Sequence, residues 1–393
     1  MMTEHFRNGV RCTQRLRAVR GDVSSRDHDT QVVSRQLPAP TGTVLLIIGA
    51  MMVVSSATSI PIPPKAADLG RIPGVLLVIL GAVQSARTSA SRERRSPFPV
   101  LQILLFACGY LLYALPSTLP HGLVDLFFQH LSALVMLVAL ISALWTCPTR
   151  PLRDATVFLL LFLLLGSATL WITQPELAVV QGRLRGLTAN ANTLGFYAFV
   201  AVAVFAAQRA TKSAILLTFG ALIILVFTGS RTSAVATLCV LVLYALFGCR
   251  PARRVLVAMA LTLGLFRLAW PAALNTVSEA LLRADSSRLG SFQVALEAQQ
   301  TTSSFGVGAG READEVASSP LRAYVHGGDI ALIGMLLMWS SLLWLGGRSN
   351  RNAGAFALAA ILHSIGEGWL LSAAGPMMIV FVLAFITLVR SSD

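Results

Sequence analysis

Charge is scarce in this chain. Asp, Glu, Lys and Arg make up only 12% of its 393 residues, against roughly one-quarter in a soluble domain. With 55% apolar residues and a mean hydropathy of +0.71, the composition excludes an ordinary soluble globular protein and points to a polytopic membrane protein. Metal-ligand spacing is lacking too: Cys12, Cys108, Cys147, Cys239 and Cys249 form no CxxC pair. None lies in a segment read as facing outward, so no disulfide is expected. A secretory signal is missing, because the Arg-rich start (Arg7, Arg11, Arg15, Arg17, Arg20) has no long apolar core behind it before Thr43. Residues 1–40 therefore read as a basic, flexible cytoplasmic arm, and 41–393 as a single transmembrane domain. No long internal repeat is visible.

The net charge of +13, from 31 Lys+Arg against 18 Asp+Glu, comes largely from arginines in short clusters between apolar runs. That distribution is a topology signal rather than a nucleic-acid footprint. A DxD pattern, Asp27-His28-Asp29, lies on the polar arm and reads as chance.

At ~20 apolar residues per span, the chain divides into an all-α bundle of about twelve helices. They fall near 42–60, 72–87, 98–115, 124–146, 155–173, 194–208, 213–229, 232–248, 254–270, 329–346, 353–370 and 374–390. Alternate connections carry Arg87 to Arg95, Arg150 with Arg153, Arg209 with Lys212, Arg250 to Arg254, and Arg348 with Arg351. The positive-inside rule makes those connections, and both termini, cytoplasmic. The outer face then receives a long loop, 271–328, just before the tenth span. Within it, SSRLGSFQVALEAQ (286–299) has the apolar spacing of a short amphipathic surface helix.

The polar groups collect on that outer face. GRLRGLTANANTLG (182–195) carries Arg183, Arg185, Asn190 and Asn192 between two apolar spans. Interface anchoring accounts for arginines alone. Paired arginines followed by amides and a helix start also make a receptor for a phosphate. FTGSRTSA (227–234) places Arg231 in a minimal turn, beside hydroxyls suited to an oxyanion. The long loop supplies Arg288, the run FGVGAG, and LRAYVHGGD with His326 and Asp329. FGVGAG lacks the strand and helix context of a dinucleotide fingerprint. His363 and Glu367 in ILHSIGEGWLL stand four apart inside a span, where ionisable groups are functional candidates or pair with each other. Asp125 and His130 are polar positions without an evident partner, and Glu312, Asp314 and Glu315 read as a solvated face.

Together RGLTANANTLG (185–195), TGSRTS (228–233), SSRLGSFQVAL (286–296) and FGVGAG followed by VHGGD resemble, in order and topology, the O-antigen ligase and O-antigen polymerase superfamily of bacterial membrane glycosyltransferases. The resemblance covers roughly residues 180–345. It departs where His326 is followed by Gly327 and Asp329 rather than by the family's usual Asn and acidic run. It implies transfer of a glycan from undecaprenyl diphosphate to a lipid, polysaccharide or protein acceptor on the outer face of the cytoplasmic membrane. Arg185, Arg231 and Arg288 would hold the diphosphate, with Arg183 in the same donor site, and His326 would act on the acceptor hydroxyl; Asn190 and Asn192 would position donor hydroxyls there or cap the helix before Leu194. Asp329, His363 and Glu367 are possible supports.

Chemical logic fits that scheme. Arginines stabilise a leaving diphosphate without a metal, and a neutral imidazole accepts a hydroxyl proton. Direct displacement inverts the anomeric centre, and neither metal nor cofactor is expected. A transporter or flippase of a lipid-linked glycan is the alternative, supported mainly by His363 and Glu367 within the membrane. A lipid II polymerase fits the order of motifs poorly.

Overall fold

Backbone N–H and C=O groups in lipid must pair within their own segment, and the apolar runs of this chain do so as helices. The structure, a computed structural model, describes residues 40–55, 64–88, 98–208, 211–248, 253–257, 305–309, 316, 318–373 and 375–391. In chain order the first five helices are α1 (Pro40–Ser55), α2 (Pro64–Thr88), α3 (Val100–Thr118), α4 (Val124–Thr146) and α5 (Thr149–Thr173). A short α6 (Pro175–Ala178) precedes α7 (Ala191–Ala207), α8 (Lys212–Thr228) and α9 (Arg231–Leu246). The last three are α10 (Ser319–Ser349), α11 (Arg351–Gly366) and α12 (Pro376–Arg390). Among the described residues the fold is all-α, apart from a two-residue strand pair between α6 and α7. Helices occupy each anticipated span in its described part; of 254–270 only 254–257 is described, as helix.

Among the described residues, four helical segments are long and apolar enough to cross a membrane: Val100–His121, Val124–Thr146, Thr149–Thr173 and Ser319–Ser349. Their outward faces are apolar as well. Ile172 is 81% exposed and Leu216 on α8 is 71% exposed, a surface suited to lipid rather than water. In contrast, α7 is buried almost all round and forms the central post. Close helix pairs use small residues, as bilayer packing favours. A Cβ on Gly109 of α3 would lie 2.5 Å from the Gly334 carbonyl of α10.

Hydrogen bonds tie the helix ends into two groups. At one end Arg390 donates to the Cys147 carbonyl, and Asn350 Nδ2 donates to the Leu388 carbonyl at 3.3 Å. The arginine-bearing turns at 147–153 and 348–351 therefore lie together. At the other end meet the starts of α7, α9 and α10 and the ends of α3, α5, α8 and α11. The polar segments are there.

Two boundaries differ from the sequence expectation. Helix α10 begins at Ser319, ten residues before the expected 329, so the last part of the anticipated 271–328 loop is helical. Ser318 accepts from Leu321 N, and Pro320 sits in the first turn, both helix-start signals. Helix α11 ends at Gly366, so Glu367 lies outside it in extended backbone. The expected placement of His363 and Glu367 on one helix face is thereby corrected.

Candidate functional site

The knot at 182–195 folds as a clasp. Val179–Val180 and Arg183–Leu184 pair antiparallel around Gln181 and Gly182, with φ of 51° and 72°. Two positive φ values in succession make the tight primed turn that suits a short hairpin. Arg185 N and Gly186 N both donate to the Ala178 carbonyl, at 2.8 and 3.1 Å.

That hairpin separates the two arginines by role. Arg183 Nε donates to the Thr228 carbonyl at 2.8 Å, and its Nη2 to Asn192 Oδ1 at 2.5 Å. It staples the hairpin to α7 and to the α8–α9 turn. Arg185 Nε donates to the Leu177 carbonyl at 2.9 Å, while its terminal nitrogens meet no partner among the described residues. The amides are spent locally. Asn190 Oδ1 caps α7 by accepting from Thr193 N at 2.8 Å and Thr193 Oγ1 at 3.0 Å, and Asn192 holds Arg183. Gly195 permits close approach, since a Cβ there would stand 2.6 Å from Ser230 Cβ and 3.0 Å from the Ser230 and Ser233 hydroxyls.

Arg231 opens α9 in the turn so reached. Behind it runs a buried polar chain that the sequence did not disclose. Ser230 Oγ and Ser233 Oγ are 2.9 Å apart, Ser233 Oγ is 2.9 Å from His363 Nε2, and Trp369 Nε1 donates to His363 Nδ1 at 3.1 Å. His363 has no exposed surface and lies between Phe196 and Phe199 of α7. Glu367 Oε1 accepts from Thr232 at 3.4 Å, and its carbonyl accepts from Ser319 Oγ at 2.7 Å, joining this group to the start of α10.

His326 occupies a break in α10. Gly327 (φ −135°, ψ 17°) and Gly328 (φ 64°, ψ −155°) are non-helical, and the carbonyls released there need other donors. Residues 305–309 provide them. Val307 N donates to the Val325 carbonyl at 2.8 Å and Gly308 N to the His326 carbonyl at 3.0 Å, while Ala309 N reaches the Ser117 carbonyl at 2.8 Å. The first two glycines of FGVGAG thus have a packing reason. A Cβ on Gly306 would lie 2.5 Å from the Val325 carbonyl, and one on Gly308 would lie 2.7 Å from the His121 ring.

The His326 side chain is 2% exposed and faces α3, with Nδ1 3.1 Å from the Tyr113 hydroxyl. Tyr110 and His130 extend the cluster, Tyr110 Oη lying 2.7 Å from His130 Nδ1 and donating to the Leu371 carbonyl at 3.3 Å. Tyr110 and Tyr113 were missed. Their signal was two phenols three residues apart in an otherwise apolar span.

Arg183, Arg185, Arg231, Asn190, Asn192, His363 and Glu367 thus share one linked end of the bundle, and α10 brings His326 to the same end. Asp329 follows the break and is exposed. Arg288, the helix anticipated at 286–299, and Asp27-His28-Asp29 lie outside the described residues. Among the described residues no group of three or more His, Cys, Asp or Glu is placed to hold a metal. No protein-family model and no characterised protein matches this chain.

Proposed function

We propose that this protein is a membrane glycosyltransferase of the O-antigen ligase or polymerase type. It moves a glycan from undecaprenyl diphosphate to an acceptor hydroxyl on the outer face of the cytoplasmic membrane. The supporting observation is the convergence, at the helix ends opposite the arginine-bearing turns 147–153 and 348–351, of a stapled arginine hairpin, the Arg231 turn and the His326 break. In this reading the chain crosses the membrane twelve times with both termini inside.

Each part has a chemical role. Arg185 and Arg231, with Arg288 from the long loop, hold the diphosphate and offset the charge that grows on it as the glycosidic bond breaks. Arg183 and the two asparagines fix that surface from below. For His326 to accept the acceptor's proton at Nε2, its Nδ1–H must donate to Tyr113 Oη, so the phenol selects the useful tautomer. The acceptor oxygen then attacks the anomeric carbon, the diphosphate leaves, and the configuration inverts.

One observation favours a second reading. A helix interrupted beside a buried ionisable group is a feature of transporters, and α10 has one at Gly327–Gly328. Purified protein in liposomes, supplied with labelled carrier-linked glycan and a soluble acceptor without any ion gradient, separates the two. Covalent transfer, lost in Arg231→Ala and His326→Ala at unchanged protein level, is expected. Translocation of intact donor without a covalent product overturns the transferase and supports a flippase.

A further inference from the structure

Glycosyl transfer as described makes no use of one buried chain of polar groups, which runs from Trp369 through His363 and Ser233 to Ser230. Its direction follows from valence. An indole N–H only donates, so His363 Nδ1 must accept at 3.1 Å and carries no proton. The ring proton therefore sits on Nε2 and is donated to Ser233 Oγ at 2.9 Å. The two serine hydroxyls, 2.9 Å apart, share one hydrogen bond but bring two protons to it. In the head-to-tail arrangement Ser233 Oγ accepts from the imidazole and donates to Ser230. Ser230 then ends the chain as a donor in need of an acceptor.

Its location indicates the kind of acceptor. Ser230 is the residue before α9, and its side chain makes no capping hydrogen bond, although serine is among the preferred caps. The oxygen turns to Ser233 instead. A 16-residue helix thus starts without a hydrogen bond from its N-cap side chain, and with Arg231 as its first residue. Ser230 itself is only 2% exposed. A buried hydroxyl polarised from behind, a guanidinium and a helix start all favour an anionic oxygen at one turn.

We propose that His363, fixed as its Nε2–H tautomer by Trp369, is a positioning residue that holds the Ser230 hydroxyl as a donor to a phosphate oxygen of the carrier diphosphate. This rests on the glycosyl-donor reading of the turn. It gives His363 a function at the outer-face diphosphate site instead of in ion transport through the membrane. Gly195 belongs to the same device, since it clears the space in which the two hydroxyls lie.

The test uses the full-length protein in lipid nanodiscs, with undecaprenyl diphosphate lacking any sugar as the probe. Ser230→Ala and His363→Phe each weaken binding about 10-fold, the size of one lost hydrogen bond to a charged acceptor. Trp369→Phe keeps an aromatic ring and removes the donor that fixes the imidazole. In 15N-histidine NMR, His363 shows the Nε2–H form in the parent and mixed tautomers in Trp369→Phe, with binding weakened in parallel. A merely structural tryptophan leaves the tautomer unchanged, and that result overturns the relay. Arg231→Ala checks the donor reading separately. Binding lost in Arg231→Ala but kept at the parental value in Ser230→Ala sinks the relay alone, whereas no binding by the parent protein removes both.

Discussion

Two arginines two residues apart do different work because a hairpin alternates their surroundings. Arg183 is an internal brace and Arg185 presents its terminal nitrogens outward. Arg183→Ala is expected to lower thermal stability in detergent, by about 1–3 kcal/mol for the acceptors left unpaired. Arg185→Ala is expected to leave the melting transition in place while cutting glycan transfer at least about tenfold, the cost of a charge-assisted hydrogen bond. A matched stability loss in both variants would merge their roles. Asn190→Ala removes the α7 cap and is expected to cost ~1 kcal/mol, readable by the same melts. The sequence showed that these residues were polar and clustered. It did not show which nitrogens were already engaged, because Thr228 lies 45 positions from its partner Arg183.

Helix α10 shows how an element places a side chain by failing to continue. Gly328 adopts a backbone conformation open essentially to glycine alone, and its break turns the His326 carbonyl toward Gly308 and the imidazole toward Tyr113. Gly328→Ala is expected to cost about 1–3 kcal/mol and to abolish transfer while Arg231-dependent donor binding persists. Full turnover by this variant would show that the break has no part in the chemistry. The apolar length of the span placed its start at 329, whereas the helix starts at Ser319. The cap Ser318 and the first-turn Pro320 are the sequence signs of that earlier start. Likewise, Glu367 follows a helix that stops one residue short of it, and four-residue spacing alone did not reveal the stop.

Across the whole molecule, hydropathy made the helices legible because each span records its own environment residue by residue. Partners across the bundle were not legible. Tyr113 and His326 are 213 positions apart, and Ser233 and His363 are 130 apart, distances at which one sequence holds no pairing information. The separation of helix ends gives a global prediction. A single cysteine in place of Gly182 is expected to react with an impermeant maleimide added outside intact cells, and one in place of Asn352 only after lysis, in a background with native cysteines replaced. Equal labelling of both positions would refute the two-faced arrangement. The contact between Gly195 and Ser230 also carries a historical consequence. Because a methyl group at 195 and a hydroxyl at 230 compete for the same space, the two positions are constrained to change together in any descendant of this gene. A lineage that acquires alanine at 195 is expected to shed the hydroxyl at 230 or to lose the protein's activity.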